Sequence, residues 1–346
     1  MTIGKKVTLG ALVIALSSVG CKNINPSVPV NQTNTINDKT VQDSPSAGFD
    51  SIDDHVNIDK FPNLLDSTYF IINEAQYENP DGEIETFHSL GSAVLHSDVR
   101  DRTYLVTANH VVDNEDEIFN FFMGKYTKKS ERSYLLDDHQ VRTIQRILRA
   151  LTMRDAEDTL YFKNRHDTFQ KLDHVIKTSE ELKVILSVIK PREVRVDAGS
   201  EFEEKDTAII SVKDLPHKPI EYEIGNSDKI KVQNLVFVTG YPLGMLKNLN
   251  RGFITHKNDS YLTTEDPQSR FIFDASISPG NSGGGIFVSQ NGKFKLIGLT
   301  SASYRRGNDL YIGVKINAVS DVFKGDSIIC SKGWKCNKAL PYEIKL

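Results

Sequence analysis

The stretch DASISPGNSGGGIF, residues 274–287, places Ser282 between a Pro-Gly-Asn turn and three consecutive glycines, and then continues as an apolar strand. Glycine adopts backbone conformations and permits close backbone approaches that other residues do not. Such a run can expose a hydroxyl group and direct backbone N–H groups toward the atom that the hydroxyl attacks. The alternative is an ordinary glycine-rich hairpin turn. A base and an acid elsewhere in the chain would favour the first interpretation.

His110 and Asp206 are the candidates for the base and the acid. His110 follows the apolar strand in YLVTANHVVDN, and Asp206 directly precedes the apolar run in EEKDTAIISV. A serine hydroxyl is a weak nucleophile at neutral pH, so it needs a histidine to take its proton and a carboxylate to orient that histidine. Asp113 and Asp197 are alternatives for the acid, but Asp113 belongs to the histidine motif and Asp197 lies outside the Asp-X-Ala pattern. The order His, Asp, Ser matches one of the known triad orders.

The rest of the chain around these residues has the pattern of a β-rich domain. Short β-branched and aromatic runs such as STYFIIN, GSAVLHS, NLVFVTG, RFIFDAS and FKLIGLTSAS alternate with polar or glycine breaks. Such runs are typical of strands in barrels or sandwiches. The Asn-Gly pair at 291–292 predicts a β-hairpin between two of them.

The motifs TANHVVDN, DTAII, GYPLG and FDASISPGNSGGGIF together resemble those of the trypsin-like, chymotrypsin-fold serine peptidases, and most closely the bacterial HtrA/Deg protease domain. The resemblance covers about residues 64–325, apart from a helical block. It implies an all-β fold with a helical insertion, built as a double six-stranded antiparallel β-barrel with the active site between the barrels. The first barrel would supply His110 and Asp206, and the second would supply Ser282.

The resemblance also implies roles for the loop before Ser282 and for a specificity pocket. The backbone N–H groups of Gly280 and Ser282 would form the oxyanion hole. In this family the residue six positions before the nucleophile, here Ser276, lies at the base of the pocket. The segment GLTSAS would form the pocket wall. The residues of that wall are Thr300, Ser301 and Ala302.

The residues at the expected pocket favour some substrates over others. Ser276 carries no charge, which disfavours a preference for Lys or Arg before the cut. Thr300 stands where some glutamate-specific relatives carry histidine, so that preference is unsupported too. A small or medium apolar residue is therefore the favoured side chain.

These observations predict an exported serine endopeptidase that acts through an acyl-enzyme and needs no cofactor or metal. The alternative is a surface binding or chaperone-like protein on an inactive protease scaffold. Esterase activity is less consistent with the sequence, because GNSGG does not match the Gly-X-Ser-X-Gly elbow. The composition is ordinary for a globular protein, and the net charge of −4 disfavours a nucleic-acid partner. Protein or peptide substrates are expected instead.

The N-terminus predicts export and a lipid anchor. Lys5 and Lys6 precede a short apolar run, and Cys21 follows SVG, which together resemble a bacterial lipoprotein signal over residues 1–20. Ser18 departs from the usual leucine of that signal, so an ordinary cleaved signal or an uncleaved anchor remains open. Residues 21–60 are polar and predict a flexible tether. Lipidation of Cys21 would hold the protein at a membrane of the bacterial cell envelope.

The remaining segments divide into a peptidase domain, an insertion and a tail. The peptidase domain is expected over 61–328, with a helical insertion at about 130–191, because apolar residues such as Val141, Ile144 and Ile147 recur at helical spacing. A second helix is predicted in TSEELKVILSVIKP, capped by Thr178. We interpret the insertion as a packed surface excursion rather than a substrate lid.

We expect two further features near the C-terminus. Residues 329–346 form a C-terminal tail, and a disulfide between Cys330 and Cys336 is predicted, with two free thiols as the alternative. Two cysteines alone make a poor zinc site, so no metal is expected. Too few residues follow the last predicted strand for a PDZ domain, so none is expected.

Overall fold

The computed structural model describes most of the chain after residue 60. The described ranges are 61–99, 101–113, 126–152, 179–200, 205–216, 220–244, 246–259, 267–303, 310–320, 322–324, 327–328 and 335–336. The predicted signal, Cys21, the tether, the Thr178 cap and Cys330 lie outside these residues. Their assignments therefore stay predictions.

Six strands close the first barrel. They are β1 Thr68–Glu78, β2 Ile84–Val99, β3 Arg102–Thr107, β4 Thr127–Leu136, β5 Arg192–Ser200 and β6 Thr207–Lys213. The order β5-β4-β1-β2-β3-β6 closes on itself because β5 also pairs with β6, and every pairing is antiparallel.

Six further strands close the second barrel. They are β8 Leu235–Gly240, β9 Asn248–His256, β10 Arg270–Ala275, β11 Gly285–Gln290, β12 Lys293–Ser303 and β13 Leu310–Lys315. The order β11-β8-β9-β10-β13-β12 closes through an antiparallel pairing of β11 with β12. A short strand, β7 Tyr222–Ile224, adds to β12 in parallel. The predicted double six-stranded antiparallel barrel is confirmed.

The hairpin between β11 and β12 forms at the predicted Asn-Gly pair. Asn291 and Gly292 have φ values of 53° and 66°. Positive φ at both central residues is the requirement of the tight hairpin turn for which Asn-Gly is preferred.

The two barrels pack face to face through a shared apolar cluster. Val94 and Val106 of the first barrel contact the same cluster as Phe237, Phe287 and Leu299 of the second. Each fully buried aliphatic or phenyl side chain contributes about 1.5–3 kcal/mol relative to leaving it exposed. The loops that carry the candidate site lie beside this junction.

Five α-helices lie among the described residues. They are α1 Phe61–Asp66, α2 Asn109–Val112, α3 Asp138–Thr152, α4 Ser179–Ile189 and α5 Ile316–Ser320. None of them is long and apolar enough to cross a membrane.

The predicted start of the helical insertion at about residue 130 is wrong. Residues 130–136 belong to β4 and pair with β1, so the first inserted helix begins only at Asp138. The strand was missed because part of it carries polar side chains with polar partners. The Ser133 hydroxyl donates to Asn73 Oδ1 at 2.8 Å, and Asn73 Nδ2 donates to Glu131 Oε1 at 2.7 Å. Such a strand lacks the apolar alternation by which sequence reveals strands.

The helices α3 and α4 pack on the outer side of the first barrel. Val141 and Ile144 are buried, as the helical spacing predicts, and they share an apolar cluster with Phe70 and Leu136. The same cluster includes Tyr241, which belongs to the second barrel. The two helices therefore also reach the turn over residues 241–244, called here the 241–244 turn.

A short strand near the C-terminus extends the first barrel. This strand, β16 Lys335–Cys336, pairs antiparallel with Ala198 and Gly199 of β5. Two further short strands, β14 Phe323–Lys324 and β15 Ser327–Ile328, form a separate pair. Cys336 is disulfide-bonded. Because Cys330 is not among the described residues, the pairing of these two cysteines remains a prediction.

Candidate active site

His110 lies on the short helix α2, directly after strand β3. Val111 and Val112 of this helix are buried, and they anchor it in the core of the first barrel. The His110 side chain is 25% exposed. The helix thus holds its apolar side in the core and leaves the imidazole at the surface of the cleft.

Asp206 is fully buried beside His110, at the start of β6. Its carboxylate oxygens lie 2.9 and 3.0 Å from His110 Nδ1, and Oδ1 also accepts the His110 backbone N–H at 3.1 Å. A carboxylate only accepts hydrogen bonds, so Nδ1 must carry the proton. In the neutral imidazole, Nε2 is then the basic nitrogen. The φ of Asp206 is 46°, an unusual value for a residue other than glycine.

The environment of Asp206 keeps its carboxyl group ionised. Burial by itself raises the pKa, but the nearby His110 and the hydrogen bonds from His110 and Ser301 outweigh burial, so the pKa of Asp206 lies below its usual value. The Ser301 hydroxyl donates to Asp206 Oδ2 at 2.5 Å. A negative charge is therefore maintained next to the imidazole at neutral pH.

Ser282 lies in the loop before β11 and is connected to the same network. Its hydroxyl donates to the Ser301 carbonyl oxygen at 3.3 Å, while the Ser301 hydroxyl binds Asp206. Its own carbonyl oxygen accepts the Ser92 N–H at 2.7 Å. The three residues that the sequence singles out, distant along the chain, thus lie in one hydrogen-bonded arrangement.

The loop around Ser282 depends on glycine at two positions. Gly280 and Gly283 have φ values of 95° and 80°. A Cβ atom at Gly280 would lie 2.4 Å from the Tyr241 carbonyl oxygen, and one at Gly283 would lie 2.1 Å from the Ser92 carbonyl oxygen. Both distances are shorter than any side chain tolerates, so only glycine allows the loop to pack here.

Two backbone donors of this loop are unused. Among the described residues, the N–H groups of Gly280 and Ser282 have no acceptor, whereas the Asn281 N–H donates to the Ser278 carbonyl and the Gly283 N–H to the Thr300 carbonyl. The Pro279 carbonyl oxygen accepts the Leu243 N–H at 2.6 Å. Because the N–H and C=O of a trans peptide point in opposite directions, the Gly280 N–H points away from the 241–244 turn.

Comparison with known proteins identifies the fold family. Residues 172–299 match the family model described as the trypsin-like peptidase domain. The two closed barrels that contain this match have the trypsin-like double-barrel fold. The matched stretch includes Asp206 and Ser282 and begins after His110, which the structure places in the same barrel as Asp206.

The chain has relatives among curated proteins. It is 28% identical over 130 residues to the periplasmic pH-dependent serine endoprotease DegQ of Escherichia coli, covering 38% of this chain and 27% of DegQ. It is 30% identical over 176 residues to a DegP-like periplasmic serine endoprotease of Pseudomonas putida, covering 47% of this chain and 33% of that protein. The matched part therefore spans a third or less of these relatives' lengths.

One solved structure with a similar chain path is a variant of the HtrA-type protease AlgW with a decapeptide. The match has a TM-score of 0.46 and 18% identity, and it covers 75% of this chain and 64% of that chain.

The residues predicted to line a specificity pocket differ in exposure. Ser276 is exposed and Ala302 is half-buried. Thr300 and Ser301 are buried. The Ser301 hydroxyl is already bonded to Asp206, so this residue contacts the acid, a role that its place in the GLTSAS motif did not reveal.

Ser92 is a residue beside the candidate site that sequence reasoning missed. It lies in strand β2, and its hydroxyl donates to the Gly280 carbonyl oxygen at 2.8 Å. The only local signal is a Gly-Ser pair, Gly91 and Ser92, inside an otherwise apolar run. The partner lies 188 positions away, so pairing them requires the tertiary structure.

The part of the chain that the structure describes contains no cluster of three or more His, Cys, Asp or Glu side chains that could hold a metal ion.

Proposed function

We propose that this trypsin-like peptidase domain is an active serine endopeptidase in which Ser282 is the nucleophile, His110 the general base and Asp206 the acid that orients His110. The observation that carries the proposal is the arrangement in which Asp206 holds His110 Nδ1 while Ser301 contacts both Asp206 and Ser282. An ionised, buried carboxylate fixed against an imidazole beside a serine in a glycine loop is the arrangement that acyl transfer requires.

In the proposed mechanism, the Ser282 hydroxyl first turns from the Ser301 carbonyl toward His110. Nε2 of His110 takes the hydroxyl proton as the oxygen attacks the substrate carbonyl carbon, and then gives that proton to the leaving amine. Water repeats the sequence on the acyl-enzyme and releases the acid product. Asp206 stabilises the imidazolium at each step because its carboxyl group is ionised.

The unused N–H groups of Gly280 and Ser282 supply the proposed oxyanion hole. The developing negative charge on the substrate oxygen would accept both hydrogen bonds, and the loop needs no rearrangement of its existing bonds to provide them. One such donor contributes about 3 kcal/mol to transition-state stabilisation.

The relatives support the substrate class and the location. DegQ and the DegP-like protein are named periplasmic serine endoproteases. We propose that this protein likewise cuts proteins or peptides after export to the bacterial cell envelope. The predicted lipidation of Cys21 would anchor it to a membrane, and residues 21–60 would serve as the tether.

The test is a comparison of Ser282→Ala with Ser278→Ala, a serine of the same loop. Purified Ser282→Ala is expected to lose casein cleavage and labelling by a fluorophosphonate probe while keeping its circular-dichroism spectrum, because the nucleophilic oxygen is removed. Ser278→Ala is expected to keep both activities, because only the backbone of Ser278 bonds within the loop. Cleavage by pure Ser282→Ala would exclude this residue as the nucleophile. A wild-type protein that neither cleaves nor labels would favour the inactive binding scaffold.

A further inference from the structure

Ser92 connects the two barrels directly beneath the loop of the candidate site. It is fully buried in β2 of the first barrel, yet three of its bonds go to the second barrel. Its hydroxyl donates to the Gly280 carbonyl at 2.8 Å and accepts the Tyr241 N–H at 3.0 Å. Its N–H donates to the Ser282 carbonyl at 2.7 Å.

These bonds restrain the residues that carry the two unused N–H groups. Within Gly280, the N–H and the carbonyl are separated only by the φ and ψ angles of that residue, and glycine has the widest choice of both. Ser92 fixes the carbonyl side of Gly280, while the bond from the Leu243 N–H to the Pro279 carbonyl fixes the preceding peptide. The direction of the Gly280 N–H is then determined from both sides. The bond to the Ser282 carbonyl restrains Ser282 in the same way.

Gly91, the residue before Ser92, shows how closely the loop around Ser282 approaches β2. A Cβ atom at Gly91 would lie 2.8 Å from the Ser282 carbonyl oxygen and 2.5 Å from a methyl group of Val111. Only glycine at position 91 lets Ser282 come within hydrogen-bond distance of the Ser92 N–H. The Ser92 carbonyl itself accepts the Thr107 hydroxyl at 2.7 Å, so its backbone is held on the first-barrel side as well.

We infer that Ser92 is a positioning residue for the oxyanion hole: its hydroxyl, shared between the Tyr241 N–H and the Gly280 carbonyl, holds the Gly280 N–H in the direction that the transition state needs. This inference rests on the proposed peptidase function. Ser92 is fully buried and bonds to backbone groups of the loop and of the 241–244 turn, so it acts through the loop.

An isosteric pair of variants isolates the hydroxyl. Ser92→Thr and Ser92→Val add the same volume, but only threonine keeps the oxygen that bonds to Gly280. On a peptide substrate, kcat of Ser92→Val is expected to fall at least ~10-fold below that of Ser92→Thr, because misplacing one oxyanion donor forfeits part of the ~10²–10³-fold that its removal costs. KM should agree within about twofold, since ground-state binding does not use the oxyanion hole.

Two controls separate positioning from folding. Thr68→Val removes another buried inter-barrel hydroxyl bond, from Thr68 to Thr239 at 2.8 Å, and is expected to lower the melting temperature without lowering kcat. If the added methyl group prevents Ser92→Thr and Ser92→Val from folding, Ser92→Ala takes their place, with the same expected loss in kcat at constant KM.

The possible outcomes are distinguishable. Equal kcat for Ser92→Thr and Ser92→Val, with an active wild type, overturns the role of Ser92 and leaves the peptidase function standing. A change in KM with kcat unaltered also overturns it. So does a loss in kcat that follows the melting temperature and appears equally in Thr68→Val. A wild type without cleavage or probe labelling overturns the proposed function and this inference together.

Discussion

The two barrels hold their parts of the candidate site by different means. The first barrel supplies His110 and Asp206, whose side chains bond to each other and are set by a helix and a strand anchored in the core. The second supplies Ser282 and the Gly280 N–H on a loop that is shaped by glycines and by bonds to neighbouring segments. Side-chain chemistry is thus built on rigid elements, whereas the backbone donors depend on contacts between barrels. Substitutions in the two barrels should therefore reduce activity in different ways.

Among the variants that leave Ser282 in place, the largest effect is expected in the first barrel, from Asp206→Asn. The amide has nearly the shape of the carboxyl group but carries no charge and can donate to Nδ1, which would move the imidazole proton to Nε2. The value of kcat is expected to fall by about 10⁴-fold, as the loss of the carboxylate does in a known triad. Steady-state hydrolysis of a peptide substrate measures it.

The control for this variant is Asp113→Asn, the acid that lies closest to His110 in sequence. Asp113 pairs with Lys128 at 3.1 Å rather than with the imidazole, so kcat of the Asp113→Asn variant should stay within about threefold of wild type. A strong loss in Asp113→Asn together with a weak one in Asp206→Asn would reverse the assignment.

A smaller loss, joined to a loss of stability, is expected in the second barrel from Gly280→Ala. The new Cβ would collide with the Tyr241 carbonyl and oppose a φ of 95°, so the loop must shift and misdirect its N–H. The value of kcat should fall by about 10²–10³-fold, the cost of one oxyanion donor. Peptide-hydrolysis kinetics measure the loss in kcat, and thermal unfolding measures the loss of stability.

The matched control here is Gly292→Ala, at another positive-φ glycine that has nothing within 4 Å of the added Cβ. It carries backbone strain without collision, so it should lower stability by about 1 kcal/mol and leave kcat unchanged. If both alanine variants behaved alike, strain rather than the position of the loop would explain the loss at Gly280.

The smallest catalytic effect is expected from the helices that cover the first barrel. Ile144→Ala removes a buried side chain from the cluster that includes Tyr241, and should lower the free energy of unfolding by about 2–5 kcal/mol. The value of kcat should fall only a few-fold, because the 241–244 turn retains its bonds to Pro279 and Ser92. Urea denaturation and peptide hydrolysis measure the two quantities.

An exposed valine of the same helical pair provides the comparison. Val184 on α4 is 64% exposed, and Val184→Ala should change stability by no more than about 0.5 kcal/mol. An effect as large as that of Ile144→Ala would show that the exposed side of the pair is packed against another surface.

The sequence revealed elements whose signals are local. Strands β3 and β6 are largely buried and rich in β-branched and aliphatic residues, and the candidate residues His110, Asp206 and Ser282 stand at motif positions beside such runs. Strand β4 was hidden because polar side chains replace part of its apolar face, with Ser133 bonded to Asn73. The helical boundary was placed too early for the same reason.

Bonds between distant segments could not be predicted from the sequence. The hydroxyl of Ser301 turns to Asp206 at a β-bulge between Thr300 and Ala302, and no spacing rule marks such a bulge in advance. In the sequence, Ser92 is only one small residue within a strand. Its bonds with Gly280 and Tyr241 exist only in the folded structure.

The inter-barrel position of Ser92 has a consequence for the newly made protein. Its hydroxyl joins positions 92 and 280, so this bond forms only after both halves of the chain have folded and docked. A nascent or partly translocated polypeptide would carry the serine and its glycines and still lack a competent catalyst. In the proposed peptidase, this order of assembly would limit self-damage during biogenesis.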